Sequence, residues 1–495
     1  MSLRPSPPAS RSTFAKSRQI SGGIKSSGKG VKQQNAYNGA MQFQKPTFKA
    51  LVLWTAASAA AAAASFWLNE KGLIGRLLRP GPLSIVEQTL AAVCLVWLLF
   101  GLTILLIHLK KLNRENIPAY AGFLLVSLLY ANLLRERLEY GDLEYYLDAA
   151  TQLYKNRPLP NGYLYPPFWA AVLEPFVRYG KNGVFLASWL LNMASVMAFY
   201  FLLIAALKRY QFSPRLAALS AILFTLINVP ALRTLYYGQV NLHMANCILL
   251  ALTLYPNRRF LSALALAAAV HLKISPLILV FVFLLERDWR WLAWFAVSLL
   301  LVGALPILTD GVSPYYDFLR NSQEVVGVRD INFREGSIDA VFLALFNLKQ
   351  ISLFAARAAA YLVKALTLGF AFLTLFRSVR KRAFYAGAGE IALNALPVML
   401  LLLNLASPLV WEHHGVFVAL PFLLLLKKLE TETDWLVFSF AYTAQFLMPT
   451  FDYYPWSTLL RLSAPLLALW LIYRVSDAPA PSPAFQKANL WLQGL

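Results

Sequence analysis

The chain has little charge, almost no cysteine and, over its first fifty residues, no acid at all. Of 495 residues only 14% are Asp, Glu, Lys or Arg, while 58% are hydrophobic. That balance excludes an ordinary water-soluble surface. The two cysteines, Cys94 and Cys247, both lie inside apolar runs. There they act as small hydrophobes and supply neither a disulfide framework nor a metal cluster. No pair of similar halves is visible, as a transporter built from internal repeats would need. Residues 1–50 lack Asp and Glu and contain no apolar block, so they read as a disordered basic tail without a signal-peptide pattern.

What the chain does have is a series of apolar runs close to the ~20 residues that cross a bilayer core. Spans are expected at 51–68, 84–108, 117–134, 183–206, 215–229, 241–255, 259–271 and 274–285. They continue at 291–308, 352–376, 389–406, 413–427, 434–449 and 457–473. The fold class that follows is an all-α polytopic membrane bundle of about 12–14 helices with interfacial helices in its loops. The formal charge of +21 sits in the tail and in short clusters between runs. Cytoplasmic loops facing an anionic leaflet carry charge in this way. No basic patch is interleaved with a soluble fold, so nucleic acid is not an expected partner.

Loop charge also decides how the 259–285 region is read. With the tail inside, the basic clusters at Lys110-Lys111, Lys208-Arg209, Arg258-Arg259, Arg287 with Arg290, Arg377 to Arg382 and Lys427-Lys428 alternate only if this region is broken into two passes. Ser275-Pro276 is the local cause, because Pro cannot continue the hydrogen-bond ladder. Both termini, including residues 475–495, are then cytoplasmic. The longer polar segments fall together on the other face. One loop, 69–83, resists the rule by carrying Lys71, Arg76 and Arg79 there.

Those polar segments hold the candidate residues. Asp142 follows Gly141 and opens a segment, 143–153, that reads as an interfacial helix. It is either an N-cap, where a carboxylate suits the helix dipole, or a general base at the membrane surface. Glu144 and Asp148 are nearby acids, and Asp142 with Glu144 makes a weak metal-pair signal. Tyr145, Tyr163 and Tyr165 are loop wall on one reading and stacking surfaces for a hexose on the other. Arg233, Tyr236, Tyr237, Gly238, Gln239, Asn241 and His243 gather at a helix end. A glycine turn capping the next helix accounts for Gly238 and Asn241, and the cationic and amide groups suit a phosphate or hydroxyls.

Lys273 lies inside a greasy region, where a lysine either snorkels or marks a functional site with a lipid phosphate as its natural partner. Trp411, Glu412, His413 and His414 share one turn in a chain with only five histidines. The turn is a helix start or an anion-binding, proton-donating pair. Adjacent histidines cannot easily reach one zinc ion.

Taken in order, GDLEYYLDAA at Gly141 to Ala150, YPP at Tyr165 to Pro167, YGQVN at Tyr237 to Asn241, HLKISP at His271 to Pro276 and SPLVWEHH at Ser407 to His414 resemble the motifs of glycosyltransferase family 87. This family consists of polyprenyl-phosphate-mannose-dependent mannosyltransferases of the GT-C superfamily. The resemblance covers roughly residues 117–474. It implies a bundle of a dozen or so helices whose first external loop bears the catalytic carboxylate, here Asp142. It further implies that Lys273 meets the donor phosphate with His413 or His414, and Arg233 is expected to join them. Glu144, Tyr145, Tyr163, Tyr165, Tyr237, Gln239, Asn241, Trp411 and Glu412 are the expected sugar and acceptor contacts. No cofactor is demanded, since the leaving group is already an anion, although the Asp142 and Glu144 pair keeps a divalent metal open. The expected partners are a polyprenyl-phosphate sugar and a lipid or glycan acceptor at the outer face of the plasma membrane. An extra hairpin within 51–116 and the basic tail have no counterpart in the family pattern.

Two other classes compete. A lipid-linked glycan flippase or transporter would place ionisable residues near midplane, for which Glu87 and Lys364 are the candidates. A glycan ligase or polymerase would share the loops and cations but should need a larger basic external loop.

Overall fold

The computed structural model describes residues 116–136, 142–226, 228–327, 336–407, 410–448, 456–478 and 481–494, with isolated positions between 49 and 112. The chain separates into two units, Met1–His108 and Leu109–Leu495. In the first, only scattered helical positions such as 52–53, 56–57 and 105–107 are described. The expected tail, almost all of the 51–108 hairpin, the loop 69–83 and Glu87 therefore lie outside the described residues.

From Ile117 onward the described chain is helical and contains no strand. Its helices are α1 (Ile117–Glu136), α2 (Leu143–Tyr154), α3 (Phe168–Val177), α4 (Gly180–Arg209), α5 (Pro214–Leu226) and α6 (Val229–Tyr236). There follow α7 (Asn241–Leu254), α8 (Arg259–Leu272), a 3-10 turn (Ser275–Leu279), α9 (Val280–Leu285), α10 (Trp289–Asp310) and α11 (Ser313–Gly327). Next come α12 (Ile338–Asn347), α13 (Leu353–Arg380), α14 (Glu390–Leu405), a 3-10 segment (Glu412–Val418) and α15 (Ala419–Leu425). The chain ends with α16 (Glu432–Tyr442), a π turn (Thr443–Leu447), α17 (Trp456–Val475) and α18 (Pro483–Gly494).

Four stretches among the described residues are long and apolar enough to cross a membrane: Leu190–Arg209, Trp289–Asp310, Leu353–Arg380 and Thr458–Val475. The pair Pro214–Thr225 and Val229–Tyr236, bent by 58°, makes a fifth if it is one span. Of the remaining expected spans, 117–134, 241–255, 259–271, 274–285, 389–406 and 413–427 coincide with shorter apolar helices of 10–17 residues. In α10 only 17% of the apolar stretch is buried, and Leu300 and Leu308 are 76% and 82% exposed. A surface so apolar belongs against lipid. The fold is that of an all-α polytopic membrane protein.

The bundle has two chemically different ends. At one, Lys427 donates to the carbonyls of Tyr210 (2.9 Å) and Phe384 (3.1 Å), Arg259 pairs with Asp288 at 2.7 Å, and Glu286 accepts from Ala392 N–H at 2.7 Å. Lys427 and Lys428, read in the sequence as loop charge, are 1% exposed and bind backbone carbonyls. A cation satisfies the unpaired carbonyls that a helix leaves at its C-terminus. The residues after Val475 are not simply a tail. In α18, Phe485 packs edge-on against Phe212 and Asn489 accepts from Ser213 N–H at 2.8 Å.

At the other end, Leu143 N–H donates to Tyr237 O (3.1 Å), Leu159 N–H to Asp317 (3.1 Å), and Asn321 to Pro160 O (2.9 Å). The sequence motifs collect here. The 259–285 region is broken at the place Ser275-Pro276 predicts: α8 stops at Leu272, Lys273 is extended, and the chain resumes at Ser275 with Pro276 in its first turn. The Arg259 and Asp288 pair ties the two outer ends of this hairpin together, so Lys273 sits at its tip. Arms of 14 residues and of 5 plus 6 residues rise only about 20 Å each, short of the ~30 Å hydrocarbon core.

Candidate active site

The site is assembled from the start of α2, the 161–165 loop, the turn between α6 and α7, the tip after α8, the end of α14 and the 3-10 segment at Glu412. Gly238 explains why the first and third of these meet. Its φ is +64°, and a Cβ there would stand 2.8 Å from Leu143 Cβ. Only glycine permits both the left-handed turn and the close approach, and the approach carries Gln239 onto Asp142.

Asp142 occupies the position before α2 but makes no side-chain cap bond. Its Oδ2 accepts instead from Gln239 Nε2, while Gln239 Oε1 accepts from the Tyr146 phenol at 3.0 Å. Burial lifts the Asp142 carboxyl above the usual carboxylate range, against the opposing pulls of the Gln239 hydrogen bond and the Lys273 charge. The bare N-cap reading thus gives way to a half-buried carboxylate in a polar network.

Lys273 faces Asp142 through space, lies 5.7 Å from the centre of the Tyr165 ring, and contacts His414 Nε2. Burial brings its ammonium down to about 8, with Asp142 opposing. His414 Nδ1 accepts from Trp411 N–H at 2.8 Å. The neutral ring must therefore carry its hydrogen on Nε2. Once the lysine is charged, Nε2–H and Nζ–H are both donors with no acceptor between them, and an anionic oxygen beside the pair would accept from both. His413 stacks against Trp411, with ring centres 6.2 Å apart and an interplanar angle of 6°.

These groups line one cavity of about 850 Å³. Asp142, Lys273, His413 and His414 are in its wall, as are Tyr145, Tyr165, Tyr237, Gln239 and Trp411. Apolar side chains are interleaved with them in the same wall: Ile274, Ile278, Leu402, Leu403 and Phe417. Sequence reading gave no role to these five, because their apolar periodicity is that of any membrane helix.

Several expected contacts lie elsewhere. Glu144 is exposed and outside the wall, because residues two apart at a helix start point to different faces. Tyr163 is 1% exposed and packs edge-on against Tyr146 and Tyr165, so it supports the wall from behind. Asn241 is fully buried in the first turn of α7. Arg233 and Glu412 pair with each other at 3.0 Å, and Glu412 pairs with Arg461 at 3.1 Å. This buried ion cluster stands behind the histidines, and sequence reading missed Arg461 because it lies mid-helix. Among the described residues no three His, Cys, Asp or Glu side chains form a group able to hold a metal. Lys364, the transporter candidate, is ion-paired with Asp339 of α12.

An all-α membrane bundle with a carboxylate, a lysine and two histidines around a half-apolar cavity is built as an enzyme acting on a molecule with a polar head and a greasy tail. Residues 163–408 match the family model described as Glycosyltransferase family 87. The chain belongs to that family and is a membrane glycosyltransferase. The matched stretch contains Gln239 and Lys273, while Asp142, His413 and His414 lie beyond its ends and join it through the cavity. No curated protein matches the chain. No solved structure matches it either.

Proposed function

We propose that this enzyme transfers a hexose, mannose on the family resemblance, from a polyprenyl-phosphate carrier to a hydroxyl of a lipid or glycan on the outer face of the plasma membrane. The observation that carries the proposal is the mixed lining of one cavity: a carboxylate and hydrogen-bond donors for a sugar and a phosphate, together with apolar side chains suited to the start of an isoprenoid tail. Nucleotide sugars are cytoplasmic, so an outward site needs a sugar already carried across on a lipid.

The chemistry is one displacement. The Asp142 carboxylate takes the proton of the acceptor hydroxyl as its oxygen attacks the anomeric carbon. The bond from that carbon to the phosphate oxygen breaks, and the electron pair leaves with the phosphate. Lys273 and His414 Nε2–H stabilise the charge gathered there. One displacement inverts the anomeric centre. The paired Lys364 gives no support to an ion or lipid pathway through the bundle.

The purified enzyme in lipid nanodiscs, supplied with polyprenyl-phosphate mannose and extracted acceptor lipids, should form a mannosylated product. Transfer from a nucleotide sugar, or only from a pyrophosphate-linked oligosaccharide, would overturn the proposal. The same assay tests Lys273. The ammonium is present below its pKa and is lost as pH rises, so kcat/KM for the donor should fall through about pH 8. In Lys273→Met this alkaline limb should vanish, and its persistence would remove Lys273 from donor recognition.

A further inference from the structure

Gln239 is 3% exposed and is held at both ends of its amide. Tyr146, itself fully buried in α2, donates to Oε1 at 3.0 Å, and Nε2 donates to Asp142 Oδ2. A carboxylate only accepts, so it takes the donor arm of the amide and leaves the acceptor arm to the phenol, which donates to it. The turn that delivers Gln239 is locked by Gly238 against Leu143 and by Leu143 N–H bonding Tyr237 O at 3.1 Å. A side chain so fully engaged has little freedom to follow a sugar.

We propose that Gln239 is the positioning residue of the base: it holds Asp142 Oδ2 so that Oδ1 is left for the acceptor hydroxyl, and Tyr146 braces the far arm of its amide. This rests on the reading of Asp142 as the base. The ionisable groups facing Asp142 are Lys273 from the tip after α8, Tyr146 from α2 and Tyr165 from the loop before α3. The hydrogen bond from Gln239 favours the carboxylate over the acid.

Gln239→Leu and Tyr146→Phe, made in the full-length protein, test the proposal with polyprenyl-phosphate mannose across pH. In Gln239→Leu, kcat should fall about tenfold to hundredfold, the loss of one hydrogen bond to a charged group. Its acid limb should move up by about one pH unit, while both KM values stay within about twofold. Tyr146→Phe should shift the limb in the same direction by less and, as the milder change, keeps the test valid if Gln239→Leu unfolds. A raised acceptor KM with an unmoved acid limb in either variant would make Gln239 a sugar contact and overturn the proposal. Failure of the underlying reading looks different: Asp142→Asn would then retain activity and the same acid limb. An acid limb that Asp142→Asn abolishes but the Gln239 and Tyr146 variants do not shift would sink this inference alone.

Discussion

Asp142→Asn is expected to lower sugar transfer by about a hundredfold to ten-thousandfold, the range that a positioned general base contributes. The substitution is nearly isosteric, and an asparagine Oδ1 can still accept from Gln239. Since Asp142 makes no side-chain cap bond, the start of α2 loses nothing on the change. The protein should therefore insert and melt as before while the reaction stops. In the unaltered enzyme the sign of the pH effect follows from the same group. Burial raises its pKa, so activity should fall with acidification at a pH above the ordinary carboxylate range. Measured transfer in Asp142→Asn at near-native rate would take the carboxylate out of the mechanism.

Glu412→Gln should stop the reaction by a different route, by destabilising the fold around the site. Glu412 is 5% exposed and lies between Arg233, 25% exposed, and Arg461, 7% exposed. Removing the anion leaves two cations facing one another across a neutral amide with little water. Breaking a buried pair in this way costs about 3–5 kcal/mol. The adjacent residues are His413 and His414, so transfer should be lost along with stability. Thermal unfolding in nanodiscs measures the first effect. The double variant Glu412→Gln with Arg461→Met should recover part of the loss, because it removes one of the stranded charges. An unfolding midpoint unchanged in Glu412→Gln would mean that the cluster is well solvated and contributes little.

The two variants mark how far the sequence could be read. Asp142 and Lys273 were visible because a carboxylate after a glycine, or a lysine inside an apolar run, breaks a pattern. Glu412 is visible for the same reason, but in sequence it reads as a sugar or acceptor contact and not as one partner of an ion cluster. Nothing in the turn at 411–414 states that its acid answers Arg233 across the bundle and Arg461 from α17. In sequence Gln239 reads as a polar residue near a membrane end and a sugar contact, and its hydrogen bond to Tyr146 is hidden because that partner is 93 residues away. Gly238 was read as a turn former, which it is; its second task, admitting Leu143, depends on a neighbour no local pattern names. The apolar wall of the cavity was illegible, since Leu402 and Leu403 are chemically the same as leucines that face lipid.

By itself the sequence determined the solvent in which the chain folds, the helical character of its runs, the break before Pro276 and the residue types able to handle an anion and a proton. These are local consequences of hydropathy, charge and backbone chemistry, readable within a turn or two. Only the tertiary structure decided which polar groups meet in the cavity, which neutralise one another behind it, and which atom of Asp142 is already held. Those outcomes depend on distances between segments far apart in the chain, set by how the helices pack.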